Sequence, residues 1–193
     1  EPLEFTDEVI QRVAESDIFC KHFHIPLQSG DAGILTKMGR PYSPQDFSGL
    51  ISSIHSRIPD AAIGVDALIG FPGEGEEAFA NTYRLIADLP VSYLHVFPFS
   101  SRPGTAAEKF ANKLKPQVIK NRCRRIRTLG HQKRLKFYRR FLGKSLPVLI
   151  EAKRDRSTGW LKGISSNYLP VLIDGKNILE NKILEVKNKK IER

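Results

Sequence analysis

Residues Ala62–Glu74 read AIGVDALIGFPGE. From Ala62 to Gly70 the run is apolar except for Asp66, the pattern of a buried strand. Phe71-Pro72-Gly73-Glu74 breaks it, and Glu76 and Glu77 then open a helix, where acidic side chains suit the positive end of the dipole. In α/β enzymes ligands sit at the carboxyl ends of parallel strands. Gly70 and Gly73 would let backbone approach a ligand closely. The same spacing also describes an ordinary strand-turn-helix corner, so the flanking sequence has to decide.

Working outward, Phe5–Ser16 reads as a helix capped by Thr6, with Val9, Ile10 and Val13 on one face. Phe19–Leu27 (FCKHFHIPL) reads as a strand, closed by Gln28-Ser29-Gly30-Asp31. Ser43-Pro44 starts a helix with Phe47, Leu50, Ile51, Ile54 and Ile58 as its apolar stripe. After the central strand, a helix over about Glu76–Asp88 ends before Pro90, and Val91–Phe99 (VSYLHVFPF) is a third strand. Strand-helix-strand-helix-strand is a parallel α/β signature. Three strands make an incomplete sheet, so a piece of a larger α/β domain is expected, with helices on one side of the sheet.

Pro116–Leu142 predicts a long basic helix whose apolar side holds Val118, Ile119, Cys123, Ile126 and Leu129. Beyond Gly143, short β-rich runs over Leu146–Ala152, Trp160–Ile164, Leu169–Ile173 and Lys182–Val186 are separated by turn signals such as Asp174-Gly175. They predict a small antiparallel β-barrel or sandwich. The expected organisation is therefore α/β over residues 1–112, a basic linker helix over 113–144 and a β-domain over 145–193.

The net charge of +10 is unevenly spread. Residues 1–112 carry 8 basic and 15 acidic side chains, residues 113–144 carry 13 basic and none acidic, and residues 145–193 carry 10 basic and 6 acidic. So one-sided a block points to a polyanionic partner, the alternative being a solvated helix face. No run is long and apolar enough for a transmembrane helix, and the acidic start EPLEFTDEVIQRV does not look like a signal peptide. Cys20 and Cys123 stand too far apart in sequence to suggest a disulfide framework or metal cluster, and a reducing cytoplasm is the expected setting.

Three strand ends carry polar groups: His22, His24, Gln28 and Ser29; Asp66 and Glu74; His95, Ser100, Ser101 and Arg102. Period-2 alternation could aim His22, His24 and Asp66 into a barrel interior. His22, His24 and His95 are compatible with a metal site, but histidines satisfying core hydrogen bonds are the preferred reading, and no metal ligand is assigned.

HFHIPLQSG (His22–Gly30), ALIGFPGEGEEAF (Ala67–Phe79) and YLHVFPFSSRPGTAA (Tyr93–Ala107) resemble, in order, successive blocks of the radical S-adenosylmethionine methylthiotransferases. VLIEA…GWLKGISSNYLPV (Val148–Val171) resembles their C-terminal TRAM domain, a small RNA-binding β-barrel. The resemblance is closest to the branch that methylthiolates threonylcarbamoyl-adenosine beside the anticodon of tRNA. The isopentenyl-adenosine branch comes next, and the branch acting on a ribosomal protein third.

It implies the last three strands of a radical S-adenosylmethionine (β/α) barrel, followed by the basic helix and a TRAM-like domain. In the whole enzyme, a reduced [4Fe–4S] cluster cleaves S-adenosylmethionine to a 5′-deoxyadenosyl radical that abstracts hydrogen from C2 of the adenine, where the methylthio group is inserted. Gln28 and Ser29 would lie near the cofactor's ribose and amino-acid moiety. Ile69, Gly70 and Phe71 would pack near its adenine, and Val96, Phe97 and Pro98 would close that pocket. Arg124, Arg125, Arg127, Lys133 and Arg134 of the basic helix would grip tRNA, while Trp160 and Tyr168 stack unpaired bases or, for Trp160, fill the β-core.

The family's CxxxCxxC motif does not occur here. The chain is therefore expected to be the C-terminal half of such an enzyme, with its N-terminal half as a missing partner. It is expected to bind no cluster and to be inactive alone. A stand-alone RNA-binding module is the alternative.

Overall fold

The computed structural model describes residues 1–191. Strands β1 (His22–Gln28), β2 (Ala62–Ile69) and β3 (Tyr93–Pro98) form a parallel sheet in that order. Parallel neighbours need crossover connections. Here α2 (Ala32–Lys37) and α3 (Pro44–Arg57) link β1 to β2, α4 (Glu76–Asp88) links β2 to β3, and α1 (Asp7–Glu15) precedes them all. Local chemistry sets the helix starts. The Thr6 side chain accepts from the Val9 amide, and Ser43 and Asp46 form a reciprocal capping box with Pro44 in the first turn.

Alternation along the strands decides which face is covered. Phe23, Ile25 and Leu27 of β1 and Ile63, Val65, Ala67 and Ile69 of β2 share one core with Ile10, Phe47, Ile51, Ile54, Phe79 and Ile86. Cys123, Ile126 and Leu129 of the long helix α5 (Pro116–Arg139) enter the same core. The helices thus lie on one side of the sheet, as the pattern predicted, and Cys123 is a packing residue at 1% exposure.

Several element ends differ from the expected bounds, the basic helix closing at Arg139 and the third strand running only over Tyr93–Pro98, and two places differ further. The first strand begins at His22 rather than Phe19. The Lys21 ammonium donates to the Val13, Ala14 and Ser16 carbonyls, and Ser16 Oγ accepts from the Ile18 and Phe19 amides. Residues 16–21 are therefore spent on closing α1. The second difference is α2, a short helix capped by Asp31, which accepts from the Ile34 amide.

Strands β4 (Ser145–Arg154), β5 (Leu161–Ser165), β6 (Pro170–Ile173) and β7 (Ile183–Lys187) form an antiparallel sheet in the order β6-β5-β4-β7. Val148, Ile150, Leu161 and Val171 make its core. It is docked on the amino-terminal end of the parallel sheet by Ala62, Phe137, Phe141 and Leu169, which pack as one cluster. Asn167 Nδ2 adds a bond of 3.1 Å to the Asp60 carbonyl.

At the opposite end, α5 is fixed by a buried ion pair. Arg122 donates to Glu74 Oε1 at 2.8 Å and to the Glu74 carbonyl at 2.7 Å, and reaches Glu76 at 2.6 Å. Its guanidinium also lies 5.0 Å over the Phe79 ring. Glu74 Oε2 accepts from the Gly70 amide at 3.0 Å. Burial pushes the Glu74 carboxyl up, against the opposing pull of that amide and of Arg122. Breaking a buried pair leaves one charge uncompensated. Arg122→Ala is expected to lower stability by about 3–5 kcal/mol in urea unfolding, and adding Glu74→Gln is expected to recover part of that deficit; an unchanged midpoint for Arg122→Ala would refute the anchoring role.

Candidate functional site

The face of the parallel sheet away from the helices is polar and aromatic. His22 and His24 of β1, Gly64 and Asp66 of β2, and Tyr93, His95 and Phe97 of β3 lie on it. The register sets Gly64 beside both His24 and Tyr93, and Asp66 beside His95. His24 Nε2 is 2.8 Å from Asp66 Oδ1, and His95 Nδ1 is 3.4 Å from the same oxygen. The Tyr93 hydroxyl is 2.7 Å from His22 Nε2 and 3.1 Å from His24 Nδ1. Burial pushes His22 below the usual histidine range, with His24 contributing, and pushes the Tyr93 hydroxyl up to about 12. Tyr93 can lie across β2 only because Gly64 has no side chain: a Cβ there would sit 2.1 Å from Tyr93 Cζ.

The antiparallel sheet contributes one ring to this face. Tyr168, in the β5–β6 turn at a φ of 63°, stacks on His22 with centroids 4.0 Å apart and planes 5° apart. It also stacks against Tyr93 at 5.9 Å. Tyr168 is thus a bridge between the sheets, a position its sequence neighbourhood does not signal. Tyr93 escapes the sequence reading too, although the alternation Tyr93-x-His95-x-Phe97 places all three on one face.

At the carboxyl ends of the strands the expected cofactor residues come together, but with different freedoms. Gln28, at a φ of 62°, follows an irregularity in the β1–β2 register. Left-handed backbone at a non-glycine is strained and clusters at functional sites. Phe97 is half exposed and Pro98 is exposed. Ser29, by contrast, is fully buried, 3.3 Å from Thr82 Oγ1 and accepting from the Asp31 amide. Ile69 and Val96 belong to the helix-side core. Phe71 is buried in edge contacts with Phe99 and Phe110. A Cβ on Gly70 would meet Ile119 at 2.5 Å, so on that side this glycine admits α5.

The basic helix is similarly divided. Arg125 lies 4.7 Å over Phe79 and 5.6 Å over Tyr83, Arg127 donates to the Val96 carbonyl, and half-buried Lys133 donates to the Ala87 and Leu89 carbonyls. Arg124, Arg125, Arg127 and Arg134 are all exposed, Arg134 resting 3.3 Å from His131. Trp160 is half-buried beneath the Lys190 ammonium, 5.9 Å from the ring centroid. Cys20 is exposed ahead of β1 and Cys123 buried in α5, so the two thiols serve separate regions. Among the described residues no helix is long and apolar enough to cross a membrane.

The chain is 37% identical over 172 residues to the threonylcarbamoyladenosine tRNA methylthiotransferase of Aquifex aeolicus (strain VF5), covering 89% of this chain and 40% of that protein. It is 33% identical over 189 residues to the protein of the same name from Bacillus subtilis (strain 168), covering 97% of this chain and 42% of the relative. No family model matches. The chain thus spans about 40% of the length of the curated relatives it matches, and is homologous to them over that part.

The bridging stack has a measurable strength. Aromatic pairs contribute about 0.5–1.5 kcal/mol beyond their buried area. A double-mutant cycle of His22→Ala and Tyr168→Ala in urea unfolding is expected to return a coupling in that range, and strict additivity would show that the stack contributes nothing.

Proposed function

We propose that this chain is the carboxyl-terminal part of a tRNA methylthiotransferase that modifies threonylcarbamoyl-adenosine beside the anticodon, inserting a methylthio group at C2 of the adenine. The observation that carries the proposal is the identity of 33% along 189 residues to the Bacillus subtilis protein, which runs in order through the parallel sheet, α5 and the antiparallel sheet.

The residues present fit S-adenosylmethionine better than they fit an iron–sulfur cluster. Exposed Phe97 offers an aromatic face to an adenine, and Gln28 offers an amide held at a strained turn. Ser29, Ile69, Gly70 and Phe71 are buried and Val96 half-buried beside them, and their contacts would hold the backbone of such a site in place. When bound, S-adenosylmethionine supplies the radical chemistry and the methyl group. A [4Fe–4S] cluster needs a set of thiolates, and one exposed and one buried cysteine in separate regions do not make it.

For tRNA, the supporting features are the exposed cations of α5 and the β-domain. Lys120, Arg124, Arg134, Lys136 and Arg139 are exposed along α5. Arg125 and Arg127 are exposed too while also touching α4 and β3, and half-buried Lys133 helps to seat the helix. Trp160, half-buried, and Tyr168, 48% exposed beyond its stack on His22, are the aromatic residues available to stack a base. The chain is expected to bind tRNA with a dissociation constant on the order of 10⁻⁶–10⁻⁴ M at physiological salt. Arg124→Ala with Arg134→Ala should weaken binding and flatten the salt slope by up to about one unit for each phosphate the variant no longer neutralises. Trp160→Ala should weaken binding at nearly constant slope. Fluorescence anisotropy with labelled tRNA reads all three, and absence of binding at low salt would overturn the tRNA reading.

A further inference from the structure

On the polar face, one carboxylate oxygen and two imidazole nitrogens converge. His24 Nε2 and His95 Nδ1 stand 2.8 and 3.4 Å from Asp66 Oδ1, and the ligand atoms of the three residues all lie within 4.8 Å of one another. We propose that His24, Asp66 and His95 bind a divalent transition-metal ion of the zinc or ferrous class through two imidazoles and one carboxylate.

The spacing suits such an ion. Bonds of about 2.0–2.1 Å in a tetrahedral site place ligand atoms about 3.3 Å apart. The two contacts to Asp66 bracket that distance. The closing adjustment falls to His95, whose side chain is 54% exposed and can turn. The three residues rise from three adjacent strands, a rigid base for a site.

The hydrogen bonding behind the ligands also fits. A histidine that ligates through one nitrogen usually donates its other N–H to a fixed acceptor, which sets the ring's orientation and tautomer. For His24 that acceptor is the Tyr93 hydroxyl, 3.1 Å from Nδ1. A hydroxyl both accepts and donates. Tyr93 can therefore accept from His24 Nδ1–H while donating to His22 Nε2, 2.7 Å away, which leaves the His24 Nε2 lone pair facing Asp66. Without a metal the same chain runs the other way: His24 Nε2–H donates to Asp66, and Tyr93 donates to His24 Nδ1.

The donor set selects among ions. Two nitrogens and one oxygen suit zinc and ferrous iron, whereas magnesium and calcium favour all-oxygen shells. Three protein ligands leave coordination positions for water or a substrate oxygen, and His95 lies on the solvent side where they would open. The site uses no cysteine and none of the residues assigned above to tRNA, so the two proposals can fail separately.

The test is a metal titration of the chelator-treated chain. Calorimetry with Zn²⁺ is expected to show about one ion per chain. Co²⁺, as a coloured stand-in, is expected to give visible d–d bands without a thiolate charge-transfer band. His95→Ala and Asp66→Asn should each weaken Zn²⁺ binding at least about tenfold, and Tyr93→Phe by about 10–100-fold. His55→Ala, on α3, should leave it unchanged. His95→Gln replaces the alanine variant if circular dichroism shows that variant unfolded. No stoichiometric binding, equal binding by the His95 variant, or a thiolate band pointing to Cys20 would each overturn the proposal.

Discussion

The buried pair between Arg122 and Glu74 is the constraint from which the rest of the arrangement follows. It joins the only long helix among the described residues to the loop that leaves the central strand. Glu74 in turn closes on the Gly70 amide, so the helix, the loop and the strand end form one unit. Ile119 fills the space where Gly70 lacks a side chain. With α5 set at that end, its far end is placed as well, and Phe137 and Phe141 meet Ala62 and Leu169. The antiparallel sheet is positioned by this second contact, and the Tyr168–His22 stack follows from it.

Most of the architecture was legible because its signals are local. Strand alternation, the Thr6 and Ser43 caps and the proline and glycine stops lie within a few residues of what they control. The site was legible only in part. Period-2 spacing put His22, His24 and Asp66 on a common face, but it could not show that Tyr93 spans two histidines or that His24 and His95 share one carboxylate oxygen. Those contacts depend on the register between strands whose sequences lie about 30–40 residues apart, and register is not written in either strand alone. Tyr168 was harder still, because its partner belongs to the other sheet.

Charge counting gave the sign of the basic segment but not the use of each residue. Arg122 is buried, Arg125 and Arg127 are engaged with the sheet and α4, and Lys133 caps two carbonyls. A helix that must both dock and present cations withdraws some positive residues, here Arg122 and Lys133, and leaves others exposed. The same division holds at the strand ends. Ser29 and Gly70 pack against Thr82 and Ile119, while Phe97 is half exposed.

The bare backbone at Gly64 has a consequence for how this fold can change over time. Tyr93 occupies the volume that a side chain on Gly64 would need, with its hydroxyl 2.3 Å from that missing atom. Positions 64 and 93 are therefore historically contingent on each other. While the tyrosine ring lies across β2, a side chain at 64 can enter only if that ring swings away. A smaller residue at 93 would open it, but would first release the rings of His22 and His24 from their shared hydroxyl. A lineage that fills the gap afterwards has made the way back harder, since a returning tyrosine could no longer lie across β2.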